Sequence, residues 1–182
     1  MRKTTQAMLG VLLMITMSLS MGLEGMPVKD ENTNHTSARD DTASPKVQLG
    51  VDVVDLDENP YEDRVIGLDD TFFLYGVTTD LRADGDGVFA VYMDVNFSND
   101  LVEVVSSEIL HIDPYVNGRS GTVNNTVGVI DEVGGFAGID QLDTTPRRFF
   151  RVTMRAVGVG EVVFDVNSAE RAAEDDVLVY GE

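Results

Sequence analysis

VFAVYMDVNF, residues 88–97, and FFRVTMRAV, residues 149–157, alternate apolar and polar side chains with a period of two. In the first stretch Phe89, Val91, Met93, Val95 and Phe97 fall on one face, and Ala90, Tyr92, Asp94 and Asn96 on the other. In the second, Phe150, Val152, Met154 and Ala156 alternate with Arg151, Thr153 and Arg155. A strand written this way buries one face and wets the other, which is the pattern of an antiparallel sandwich. Strands of a parallel sheet covered by helices read instead as unbroken apolar runs. The fold class predicted is all-β: a two-sheet antiparallel sandwich of jelly-roll type, with eight or nine strands.

Working outward, further strands are expected at Val47–Leu56, Thr71–Leu81, Leu101–Val105, Thr126–Ile130, Glu161–Val166 and Val177–Tyr180. Turn residues separate several of them. Ala83–Gly87 (ADGDG), Ser98–Asp100 (SND) and Gly158–Gly160 (GVG) tolerate positive φ and are read as hairpin turns. His111–Asn125, rich in Asn, Gly, Ser and Pro, reads as a long loop hiding at most one short strand. Ser168–Glu174 is the single plausible helical turn. The expected core comprises Phe89, Val91, Met93, Val95, Phe150, Val152, Met154, Val162 and Phe164.

The N-terminal part has a different grammar. Arg2 and Lys3 precede an uncharged stretch, Thr4 to Leu23, followed by small residues, which is how a signal peptide over 1–22 is written. An uncleaved anchor is the alternative, because about 20 uncharged residues just span a bilayer. Either reading exports the rest of the chain, to the medium or to the cell surface. Residues 23–46 are polar and poor in apolar side chains, as in a disordered tether. Residues 47–182 then suffice for one domain. The chain has no cysteine, so neither disulfides nor a cysteine-linked lipid contribute to stability or anchoring.

Charge is partitioned between these parts. The whole net charge of −19 lies on residues 47–182, where 8 arginines and no lysine face 27 acids. Such a surface repels polyanions, which excludes nucleic acid as a partner and disfavours anionic membranes except through the leader. It suits saline surroundings, or serves simply as a solubility device.

The succession DTFFLYGVTTDL (70–81), GVFAVYMDVNFSNDLVEVV (87–105), RRFFRVTMRAVGVGEVVFDV (147–166) and DVLVYG (176–181) resembles cohesin modules and the related carbohydrate-binding-module sandwiches. The order of strands and turns over residues 47–182 carries the resemblance. It implies a receptor for a dockerin-bearing protein partner in an extracellular, often polysaccharide-degrading assembly. It places the partner surface on the solvent face with Ala90, Tyr92, Asp94 and Asn96, beside Val163 and Asp165. The chain departs from the family's habit by carrying one module and no dockerin of its own.

Other chemistries have candidate residues too. A direct sugar site would use exposed rings, and without Trp the candidates are Tyr61 and Tyr115. A purely structural surface module needs no site. Asp80, Asp84 and Asp86 around Gly85 and Gly87 invite a structural calcium, although an EF-hand register fails, with Arg82 and Val91 at ligand positions. A hairpin turn explains the same residues. A hydrolytic triad could be drawn only through His111 with Ser106 or Ser107, and no G-x-S-x-G elbow occurs, so no enzymatic activity is expected.

Overall fold

The computed structural model describes residues 11–12, 45–61, 63–106, 108–169 and 177–181. Most of the leader and tether, and most of the segment read as a helical turn, lie outside these residues. The strands are β1 (Val11–Leu12), β2 (Val47–Val54), β3 (Val65–Ile66), β4 (Thr71–Asp80), β5 (Val88–Phe97), β6 (Val102–Val104), β7 (Leu110–His111), β8 (Asn117–Asn124), β9 (Val129–Phe136), β10 (Arg147–Ala156), β11 (Phe164–Ser168) and β12 (Val177–Val179). Ser168 thus closes a strand. β1 pairs with β3, and all other strands form two five-stranded antiparallel sheets. Sheet one runs β2-β4-β10-β6, with β7 also on β10; sheet two runs β11-β5-β9-β8, with β12 also on β5.

The alternation of β5 and β10 does what period two requires. Phe72, Leu74, Phe150, Val152 and Met154 from sheet one meet Val91, Met93, Val95, Ile130, Val133 and Phe164 from sheet two, all essentially inaccessible to water. Burying each such side chain stabilises the fold by about 1.5–3 kcal/mol relative to leaving it exposed. Gly76 on β4 makes room for this layer: a Cβ there would sit 2.1 Å from the Phe150 ring and 2.9 Å from that of Phe149.

Phe89 departs from the expected core. Along the β5–β12 ladder Leu178 faces Ala90, whereas the next residue, Val179, faces Val88, so β5 spends two residues where β12 spends one. This bulge reverses the alternation at the start of β5. Val88 turns into the core, and Phe89 goes to the outer side, against Phe136 and Tyr180.

The three turns read as hairpins are also different. β4 and β5 belong to opposite sheets, as do β5 and β6, and β10 and β11. The Ala83–Gly87, Ser98–Asp100 and Gly158–Gly160 connections therefore cross the sandwich. Gly and Asp chemistry licenses a sharp reversal, as at Gly87 with φ +91°, without saying whether the next strand joins the same sheet or the facing one. The tight hairpin lies elsewhere, between β8 and β9, where the Gly128 amide donates to Asn124 O at 2.9 Å. That places turn residues at 125–128, at the start of the strand expected over Thr126–Ile130, and an eight-residue strand inside the expected loop 111–125. β8, NGRSGTVN, is an exposed sheet edge and lacks an apolar face to announce it.

With −19 concentrated on this body, self-repulsion opposes compaction. Raising ionic strength from about 0.01 to 1 M shortens the Debye length from roughly 30 to 3 Å. The melting temperature is expected to rise across that range. A melt indifferent to NaCl would show that the acids are already spaced or paired well enough to cost nothing.

Candidate functional site

The outer faces of the two sheets differ in kind. On sheet one, Phe73 and Tyr75 of β4 point outward, and arginines from β10 lie over them: the Arg148 guanidinium carbon is 4.0 Å from the Tyr75 ring centre and that of Arg151 is 4.1 Å from Phe73. Asp55 accepts from the Asp57 and Asn59 amides, shaping a loop that carries Glu58 across the sheet. There Glu58 accepts the Tyr75 hydroxyl at 2.8 Å and pairs with Arg148 and Arg151, while Arg148 also reaches Asp52 at 3.2 Å. Cation–π contacts and ion pairs thus occupy the β4–β10 part of this face with the chain's own side chains, and Tyr75 is buried beneath them, whereas Leu110 of β7 beside Arg151 stays exposed. The sequence pattern predicted outward arginines and gave no sign of this stack.

Sheet two presents the opposite arrangement, built in rows across its strands. Leu178, Ala90, Phe136 and Asn117 form one row; Tyr92, Gly134 and Ser120 the next; Asn167 and Asp94 the third; Asp165, Asn96, Val129 and Asn124 the last. A bulge in β9 between the Met93 and Val95 pairings inserts Asp131 and Glu132 beside Asp94, with Glu132 at φ 49° and its amide donating to Asp94 Oδ1 at 2.7 Å. The result is an aromatic corner at one end of the face and an acidic row, Asp94, Asp131, Glu132 and Asp165, towards the other.

Two glycines let the rings lie flat. A Cβ at Gly134 would come within 2.7 Å of Tyr92, and one at Gly118 would meet the Phe136 ring at 2.3 Å. Tyr92 and Phe136 therefore lie down across the sheet rather than standing out from it. The Tyr92 hydroxyl donates to Gly118 O at 2.9 Å, and burial holds its phenol pKa above the ordinary value. Phe89 packs on Phe136 with ring centres 5.7 Å apart and on Tyr180 at 5.3 Å, edge to face. The Tyr180 hydroxyl donates to Gly138 O, and its pKa too is raised, by burial and then by the Asp140 carboxylate. Phe136 and Leu178 remain 36% and 37% exposed, an apolar area left in contact with water.

The expected partner residues are thereby only partly together. Tyr92, Asp94, Asn96 and Asp165 share this face. Ala90 does not offer a contact, because at 4% exposure it is covered by its neighbours. Val163 lies just before β11 and is half-buried. Sequence reasoning missed Phe89, Asp131 and Glu132, which bulges turn or crowd outward without a mark in a period-two pattern, and Phe136 and Leu178, whose place depends on which strands flank β5.

The alternative sites fare differently. Tyr115 is fully buried, donates its hydroxyl to Val88 O at 2.9 Å and packs edge-on against Phe149, so it has no surface on which a sugar could stack. Its apolar setting pushes the phenol pKa up strongly. Tyr61 is half-buried against the core, with Asp55 and Asp70 nearby. Asp80 is not an open calcium ligand. Its side chain is 0% exposed, and its oxygens accept from Arg82 Nε (3.0 Å), Arg82 Nη2 (2.7 Å) and the Arg82 and Gly87 amides (both 3.0 Å). These donors, the arginine first, hold its pKa below the ordinary carboxylate value. Asp84 is exposed and Asp86 accepts from Gln141, and no group of three metal-ligating side chains converges among the described residues. His111 Nε2 lies 2.9 Å from Ser120 O, an acceptor, so that nitrogen carries a proton; Ser106 Oγ accepts the Glu108 amide. Ser107 lies outside the described residues.

No protein-family model matches this chain, and no curated protein matches it in sequence. Flat rings beside fixed carboxylates offer apolar contact area together with a negative potential, which suits a complementary surface better than a reacting group.

Proposed function

We propose that this chain is an exported, non-catalytic binding module of cohesin-like type, whose outer β5–β9–β11 face docks a protein partner bearing basic and apolar groups in an extracellular or cell-surface assembly. The observation that carries the proposal is the coexistence, on one face, of water-exposed rings and an acidic row, while on the opposite face the outward rings of β4 are covered by the chain's own arginines. An anchor residue that is rigid before binding loses little entropy on docking. Tyr92 is rigid in this sense, seated on Gly134 and tied to Gly118. The leader-like pattern of residues 1–22 and the sequence resemblance to cohesin modules support the same reading.

A glycan ligand is the competing class, and it has lost the Tyr115 half of its sequence-based site. The test is titration of the full chain against dockerin-bearing proteins of the same source and, separately, a panel of soluble polysaccharides. Protein binding is expected to weaken at least about 30-fold in Tyr92→Ala and in Phe136→Ala, corresponding to an interface hot spot of about 2 kcal/mol. Neutralising Asp131 and Asp165 with Asn should flatten the salt dependence and slow association. Binding untouched by Tyr92→Ala would refute the face assignment, and binding of a glycan alone would replace the partner class.

A further inference from the structure

We propose that Asp80 and Arg82 form a latch that holds the C-terminal strand in place and thereby positions the aromatic corner of sheet two; its bearing on binding rests on the docking reading above, but the latch itself does not. Asp80 stands at the end of β4, in sheet one, with its carboxylate buried. A buried charge is tolerated only when paired and fully hydrogen-bonded. The Leu81–Gly87 connection supplies both, wrapping over the carboxylate so closely that a Cβ at Gly85 would lie 2.2 Å from Oδ2.

Arg82 then reaches a segment 98 residues away. The nitrogen that pairs with Asp80 Oδ2 also donates to Tyr180 O at 3.0 Å. From the same connection, Gly87 O accepts the Tyr180 amide at 3.1 Å. The backbone of Tyr180 is thus gripped at both its N–H and its C=O by a loop that crosses from one sheet to the other.

Tyr180 follows β12, a strand of only three residues. So short a pairing has little local stability of its own, and segments of this kind open far more readily than a core strand. Yet the outer side of sheet two depends on it. The Tyr180 ring packs on Phe89, its hydroxyl bonds Gly138 O, and the β12 register shift sits at the bulge from which Phe89 faces outward. Arg82 is therefore a positioning residue, acting on the corner through Tyr180 without touching a ligand.

An ion pair that served only global stability would, when removed, lower protection throughout the fold. A latch loosens one segment. Amide hydrogen exchange on the full chain separates the two. In Arg82→Ala, the Val177–Tyr180 amides are expected to exchange at least about tenfold faster, while Val152 and Met154 in β10 keep wild-type rates. Arg82→Lys should behave like the alanine variant, because a single ammonium lacks the planar fork that engages Asp80 twice and Tyr180 once. Because Arg82 is 21% exposed, its truncation leaves water able to reach the loop, and the test does not depend on the more disruptive Asp80→Asn. Uniform loss of protection, or none at Val177–Tyr180, would overturn the latch. A module that shows the local effect and binds no protein would overturn the docking reading alone.

Discussion

Phe150→Ala is expected to cost about 3–5 kcal/mol of folding stability, the range for removing a fully buried phenylalanine whose cavity cannot close. Phe150 is inaccessible to water, packs edge-to-face on Phe149 with ring centres 5.1 Å apart, and fills the space that Gly76 leaves on the neighbouring strand. Thr153→Ala, three residues along on the outer side of the same strand, is expected to change stability by about 0.5 kcal/mol or less. Denaturant melts of the two variants and the parent decide the matter. Equal losses would mean that β10 does not separate an inner from an outer face.

Gly134→Ala is expected to destabilise by about 3 kcal/mol, at the upper end for overpacking. A Cβ at this position would lie 2.0 Å from Val91 O and 2.7 Å from the Tyr92 Cα. Both are backbone atoms of the strand at the centre of sheet two, so relief requires breaking the β5–β9 ladder rather than turning a side chain. Gly138→Ala provides the control, since a Cβ there meets nothing within 4 Å. If Gly134→Ala melts like the control, the two backbones do not approach as described, and Tyr92 has no floor to lie on.

The parts of the fold that were legible in the sequence are those where one physical rule acts alone. β5 was bounded correctly as Val88–Phe97, and Val91, Met93, Val95, Phe150, Val152, Met154, Val162 and Phe164 are all buried, because burial of one face imposes alternation directly on residue type. Legibility failed where a second constraint intervened. Phe89 alternates correctly on paper, but the bulge opposite Val179 turns it out. β8 pairs with β9 through two register shifts, and its sequence reads as loop because an exposed edge strand whose one apolar residue is the half-buried Val123 shows no period-two face. The acidic residues around Gly85 carry calcium-like composition; what distinguishes an ion pair from a cation site is the direction in which Arg82 turns, and spacing does not encode that. At the candidate face, the outward placement of Tyr92, Asp94 and Asn96 followed from alternation, and Asp165 came with the resemblance. Phe136 and Asp131 required knowing which strand lies next to β5.

The connections that cross the sandwich also set how the chain must reach its folded state. A hairpin-first route, in which one sheet grows by adding each strand to its predecessor, is closed to β5 and β6, because each belongs to the sheet opposite the strand before it. β4 can pair early with β2, but its ladder with β10 must wait, as β5 waits for β9, so most ladders join segments far apart in sequence and the entropy of closing large loops falls before those ladders reward it. Collapse and sheet formation are therefore coupled. Refolding on the milliseconds-to-seconds scale of non-local β proteins follows, with the local β8–β9 hairpin, and after it the β2–β4 pair, as the elements placed to form early.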